Sequence, residues 1–72
     1  MKPMSESRRR VYEFIRRFIA ERGYSPSHKE ICEAVYITQP AVKQHLDGLK
    51  DAGLIDFEPG KPRTIRVLEG AK

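Results

Sequence analysis

The chain has 72 residues, which is enough for one small domain and too short for an active-site cleft between two subdomains. Its 14 lysines and arginines against 10 aspartates and glutamates give a net charge of +4, which favours a nucleic-acid partner without identifying one. The 39% of hydrophobic residues suffice for a small core and exclude a disordered basic tail. Because the sequence shows no membrane-length apolar run or signal core, and its single cysteine, Cys32, cannot form an internal disulfide, we predict a cytoplasmic protein without membrane contacts.

The segment from Ser5 to Arg22 has the spacing of an amphipathic helix. Its apolar side chains recur at i, i+3, i+4, i+7 and i+8, and they are Val11, Phe14, Ile15, Phe18 and Ile19. Ser5 or Ser7 can cap the start of this helix, and Gly23 is suited to end it. The pattern therefore predicts a first helix that packs on the core by one face.

A short second helix is predicted after an extended Ser-Pro bridge. Residues 27–30 match the capping box, in which the Ser27 hydroxyl and the Glu30 carboxylate each accept a backbone N–H of the other residue. We expect the helix to run to about Val35, with an apolar face made of Ile31, Ala34 and Val35. Cys32 lies at the edge of that face, and we interpret it as a half-buried structural thiol.

A third helix is predicted after the link at residues 36–38. It begins at Thr38 or Gln39, because Pro40 suits the first helical turn, and it runs to about Ala52 before Gly53. The predicted core face consists of Val42, Leu46 and Leu49. A link this short between two helices favours a steep crossing, as in a helix-turn-helix.

The apolar period changes after Gly53, where two short strands are predicted. Residues 54–57 and 64–68 are the strands, and residues 58–63 form a turn that contains two prolines and a Pro-Gly pair. Residues 69–72 are expected to be a frayed tail or the start of a linker. We therefore predict a mainly α fold with a small β-hairpin, a winged helix-turn-helix. It forms one domain over residues 1–72, with an ordered core at about 5–68.

The outward face of the third helix is the main candidate for a binding surface. A B-DNA major groove admits one α-helix, and amide, ammonium and methyl groups can read its base edges. The matching residues here are Gln39 and Gln44 for adenine, Lys43 for guanine and Ala41 for a thymine methyl. An ordinary solvated helix face is the alternative, and Asp47 favours it because a carboxylate repels phosphate.

Two further groups are candidates for the DNA backbone. Lys61 and Arg63 lie in the stiff basic turn, where a wing that contacts sugar and phosphate requires cations. Ser27, His28 and Lys29 open the second helix, where free backbone N–H groups favour a phosphate. A solvated turn and a helix cap are the corresponding structural alternatives.

Catalytic and metal-binding functions have little support in the sequence. The only histidines, His28 and His45, have no nucleophile or carboxylate partner at a suitable spacing, and one cysteine cannot make a cysteine-based zinc site. We therefore predict no enzyme activity, no catalytic residue, no cofactor, no metal and no small-molecule substrate.

Four sequence blocks together resemble the DNA-binding domain of the LexA repressor family. The blocks are 10–16 (RVYEFIR), 23–31 (GYSPSHKEI), 41–46 (AVKQHL) and 49–55 (LKDAGLI), and the resemblance covers about residues 5–68. It implies a winged helix-turn-helix in which Ser27 and His28 touch phosphate. It also implies that the start of the third helix reads bases and that residues 61–63 approach the backbone.

The chain departs from the family pattern in two respects. The family usually has glycine in the turn of the helix-turn-helix, where this chain has Tyr36, and a positive φ would strain a tyrosine. The self-cleaving peptidase domain, through which the family mainly dimerises, has no counterpart in these 72 residues. The resemblance therefore does not imply autoproteolysis, and we expect a chain that is monomeric alone and can pair on DNA.

We predict sequence-specific binding to double-stranded DNA, through the major groove and the backbone, by a transcriptional regulator of the LexA repressor type. One alternative is a winged-helix module for protein–protein interaction, for which the candidate exposed aromatics are Tyr12, Tyr24, Tyr36 and Phe57. Another is a small metal- or redox-responsive regulator that uses the cysteine and the two histidines.

Overall fold

The computed structural model describes residues 5–68, which form three helices followed by two strands. In chain order the elements are α1 (Glu6–Arg22), α2 (His28–Val35), α3 (Gln39–Asp51), β1 (Ile55–Asp56) and β2 (Arg66–Val67). The strands pair antiparallel, with Ile55 opposite Val67. This order confirms the predicted mainly helical fold with a β-hairpin wing. The tail predicted at residues 69–72 lies outside the described residues.

The ends of α1 and α2 follow the predicted caps. The Ser5 hydroxyl accepts the Arg8 N–H at 3.2 Å, and Gly23 ends α1 with a φ of 80°. At α2 the capping box is complete, because Ser27 Oγ accepts the Glu30 N–H at 3.2 Å while Glu30 Oε1 accepts the Ser27 N–H at 2.9 Å. The cap fixes how the chain enters α2.

A tight turn joins α2 to α3. Tyr36 is the C-cap of α2 with a φ of 58°, and its N–H donates to the Cys32 carbonyl. The Cys32 thiol in turn donates to the Ile37 carbonyl at 2.7 Å, which confirms its half-buried structural placement. The Thr38 hydroxyl then caps α3 by accepting the Ala41 N–H at 3.3 Å.

The core lies where the helices meet the hairpin. Its buried apolar residues are Val11, Ile15, Ile31, Val42, Leu46, Leu49, Ile55 and Ile65. The prediction that Ala34 faces the core is wrong, since its side chain is exposed. The reason is that α2 packs inward along the direction shared by Ile31, Cys32 and Val35, so Ala34 lies on the flank and lines an open groove against α1.

The strands are shorter than predicted, with two residues each. Beyond the strands, side-chain oxygens accept the backbone N–H groups that a longer ladder would pair. The Asp56 carboxylate accepts the Phe57 N–H at 2.9 Å, and Thr64 Oγ1 accepts the Glu58 N–H at 3.0 Å. On the other side, the Leu68 N–H donates to the Leu54 carbonyl at 3.0 Å. The wing is therefore held by side chains as much as by strand pairing.

Candidate nucleic-acid interface

α3 presents a polar face to solvent on the side away from the core. Val42, Leu46 and Leu49 are buried, as the spacing predicted. The exposed residues of the helix include Gln39, Pro40, Lys43, Gln44 and Asp47, while Ala41 is half-buried. Three of the four predicted base-reading side chains are thus exposed on this helix, and the fourth lies at its margin.

The N-terminus of α2 lies beside the tip of the wing. A shallow groove between them is lined by His28, Gly60, Lys61 and Pro62. The tip is a tight turn in which the Lys61 N–H donates to the Glu58 carbonyl at 3.2 Å, and Gly60 has a φ of 79°. A proline followed by a positive-φ glycine is the pattern of a type II turn. Two of the predicted phosphate-contacting groups, which are far apart in sequence, are therefore neighbours in the fold.

Arg63 fastens the wing to the body of the domain. Its Nη1 donates to Glu30 Oε1 at 3.0 Å and to the Ser25 carbonyl at 3.1 Å, and its Nη2 donates to Glu30 Oε2 at 3.2 Å. The guanidinium carbon also lies 5.3 Å from the centre of the Tyr24 ring. The side chain that the sequence suggested for DNA phosphate is thus already bound to a carboxylate in the free protein.

The Arg63 contact sets the protonation of its partner. The hydrogen bonds from Arg63 hold the pKa of Glu30 below its usual range, and the Ser27 N–H lowers that pKa further. The same contact raises the pKa of Arg63. Glu30 is therefore ionised at neutral pH and serves both the α2 cap and the wing.

Sequence reasoning missed Ser25 and Glu30 as anchors of the wing. Ser25 is buried, and its hydroxyl accepts the Ile65 N–H at 3.1 Å and donates to the Pro26 carbonyl at 3.0 Å. The only signal in the sequence is that this serine lies in a short bridge before a capping box. Its partner is 40 residues away, so the sequence offers no local pattern that reveals the contact.

The cations of the predicted site differ in how they are paired. Within residues 5–68, neither Lys29 nor Lys43 forms an ion pair. Lys61 lies 3.5 Å from the Glu58 carboxylate in a solvent-exposed pair, which contributes little and is easily exchanged for another anion. These ammonium groups are therefore available to a polyanion.

The described residues contain neither a candidate metal-ligand cluster nor a membrane-spanning helix. Residues 5–68 contain no group of three or more histidine, cysteine and carboxylate side chains that could hold a metal ion. None of the helices described there has the length and apolar content needed to cross a membrane.

Comparison with known proteins gives one consistent result. Residues 1–64 match the family model of the LexA DNA binding domain. The chain is 47% identical over 60 residues to the LexA repressor of Clostridium tetani, covering 82% of this chain and 30% of that repressor. It is 42% identical over 72 residues to the LexA repressor of Thermotoga petrophila, covering 100% of this chain and 36% of that repressor. The chain thus spans about a third of the length of these relatives, and it belongs to the LexA DNA-binding domain family.

Proposed function

We propose that this chain is the sequence-specific double-stranded DNA-binding part of a LexA-like transcriptional repressor. The observation that carries the proposal is the exposed amide and ammonium face of α3, on a helix whose opposite face is fully buried. Membership in the family and the repressor relatives give independent support.

In this proposal the first turns of α3 enter the major groove. Gln39 and Gln44 each have an amide that can bond to adenine in two places, and Lys43 can donate to guanine. Ala41 contacts a thymine methyl from the margin of the face. Asp47 lies one turn further along the exposed side, where it accepts from a cytosine amino group or marks the point at which the helix leaves the groove.

The N-terminus of α2 and the wing contact the backbone in this proposal. The backbone N–H groups of His28 and Lys29 and the Ser27 hydroxyl lie at a helix start with the Lys29 ammonium, and Lys61 adds a cation from across the groove. Arg63 mainly positions the wing. It uses three of its five N–H donors within the protein, so two remain for a phosphate.

We also propose that residues 1–72 act as one domain in the cytoplasm without a cofactor. The domain is monomeric alone and pairs only on DNA with adjacent half-sites. The protein-interaction alternative has weaker support, because Tyr12 and Phe57 are half-buried against the core and only Tyr24 and Tyr36 of its four candidate aromatics are exposed.

Selection from random duplexes, followed by fluorescence anisotropy, tests the proposal. Lys43→Ala and Gln44→Ala should relax base preference and cost about 1–3 kcal/mol of binding free energy on the selected duplex. Arg17→Ala removes one positive charge from the exposed surface of α1 and is the matched control, with base preference unchanged. Failure of the wild-type chain to bind any duplex at low salt would contradict the proposal.

A further inference from the structure

Tyr36 ends α2 in a left-handed conformation that usually belongs to glycine, and its side chain is almost fully exposed. Its φ of 58° lies in the left-handed region, which disfavours a residue with a Cβ atom. Its side chain is 91% exposed, against 48% for Tyr24 and 38% for Leu68. The side chain therefore adds almost no packing to the domain, although its backbone conformation is strained. Strained backbone of this kind is concentrated at functional sites.

The turn around Tyr36 is fixed on both sides. The N–H groups of Tyr36 and Ile37 both donate to the Cys32 carbonyl, the latter at 3.3 Å, and the Cys32 thiol donates back to the Ile37 carbonyl. Ile37 packs against the core, and Thr38 caps the next helix. These contacts pin the backbone of the turn, and the tyrosine side chain lies exposed to solvent.

Tyr36 lies close in sequence to the N-terminus of α3, the end of the helix that would enter the groove. Tyr36 precedes the N-cap of α3 by two residues, which span at most about 7 Å of chain. The walls of a major groove about 12 Å wide lie about 6 Å from the axis of a helix inside it. A tyrosine side chain this close to the helix end is within reach of a sugar-phosphate wall.

The exposed residues around Tyr36 give it no apolar partner surface, and Glu33 is the one carboxylate among them. The exposed residues that flank it in sequence are small or polar, and they include Glu33, Ala34, Thr38 and Gln39. A single aromatic ring in such a setting makes no apolar docking patch, but its terminal hydroxyl is a hydrogen-bond donor.

We propose that the Tyr36 hydroxyl donates a hydrogen bond to a backbone phosphate at the edge of the major groove, and so positions α3 in that groove. The inference rests on the proposed function, since it requires that α3 binds duplex DNA. This contact adds an uncharged hydrogen-bond donor to the cationic phosphate contacts proposed for α2 and the wing.

The test compares Tyr36→Phe and Tyr36→Asn with the wild-type chain on the duplex that the wild type selects. Removal of the hydroxyl should weaken binding about tenfold in Tyr36→Phe, because a hydrogen bond to a charged group is lost. Tyr36→Asn should bind at least as weakly. The slope of log affinity against log salt should stay unchanged in both variants, because neither removes a cation. Tyr12→Phe, which removes a hydroxyl from α1, should bind like the wild type.

A thermal melt separates binding from a structural role. Asparagine tolerates a positive φ, so Tyr36→Asn should raise the melting temperature by about 4 °C while it lowers affinity. A structural role would lower both quantities together, and that result would overturn the inference. Unchanged affinity in both Tyr36 variants, with normal wild-type binding, would overturn this inference alone. Absence of wild-type binding to any duplex would overturn it together with the proposed function.

Discussion

Gly48 gives Arg8 the space to lie across α3. A Cβ atom added at Gly48 would overlap the Arg8 guanidinium, whose Nε donates to Nδ1 of His45 at 3.4 Å. Burial lowers the pKa of His45 from its usual value, and the charge of Arg8 lowers it further. The lack of a side chain at Gly48 thus allows Arg8, in the first turn of α1, to contact the middle of α3.

Gly48→Ala should stabilise the domain even though it displaces Arg8. Alanine is favoured over glycine inside a helix by about 0.5–1 kcal/mol, and the overlapping atoms are the end of a flexible side chain that can move away. We therefore expect a higher free energy of unfolding in urea, together with a rise in the pKa of His45 measured by NMR. Arg8→Ala is the control, since it should raise the pKa of His45 without the stabilisation that alanine gives inside a helix. A less stable Gly48→Ala variant would show that the Arg8 contact outweighs helix propensity.

The wing is an element that side chains hold in place. Two-stranded hairpins are marginal by themselves, and this ladder has only two residues per strand. At its base the Asp56 carboxylate accepts the Phe57 N–H and a hydrogen bond from Arg66 at 2.9 Å, which keep the pKa of Asp56 low. At its other end Arg63 binds Glu30. The position of the wing against α2 therefore depends on an ion pair that titrates.

Arg63→Ala should make the stability of the domain less sensitive to acid. The folded state lowers the pKa of Glu30, so the stabilisation is present above the ordinary value of 4.5 and is lost as pH falls through the folded-state pKa. The wild type should therefore lose more stability than Arg63→Ala between about pH 6 and pH 3. NMR titration should show the pKa of Glu30 higher in the variant, though still lowered by the Ser27 N–H. Superimposable acid-denaturation curves would argue against the ion pair.

The domain is small enough for the half-site spacing in the proposed DNA complex. The domain measures 30 × 25 × 23 Å. Half-sites one helical turn apart have centres separated by about 34–36 Å. We therefore expect that two copies bound to adjacent half-sites on one face of the duplex would not overlap.

The oligomeric state should change only when DNA is present. We expect a monomer by sedimentation velocity and two chains on a duplex that carries two half-sites one turn apart, because the buried apolar residues of all three helices pack into one core within the chain. On such a duplex Lys61→Ala should reduce the salt slope by about 0.9 per chain, as one phosphate contact is lost. A stable dimer without DNA would contradict this expectation.

The parts of the fold that were predicted correctly depend on short-range patterns. The capping box at residues 27–30, the stop at Gly23 and the stripe of Val42, Leu46 and Leu49 all arise from spacings within a few residues. The extent of the strands was not predictable, because the Thr64 hydroxyl and the Asp56 carboxylate take over backbone hydrogen bonds that alternation would assign to the ladder.

For the candidate site, the sequence by itself determined which residues lie on the solvent side of α3 and that the turn after β1 is basic, because helix periodicity and turn chemistry are local properties. Only the tertiary structure decided that Arg63 serves Glu30 and Ser25, and that the wing tip lies beside His28. The reason is physical: these partners are more than thirty residues apart in sequence, so their distances depend on how the helices pack and on no single stretch of chain.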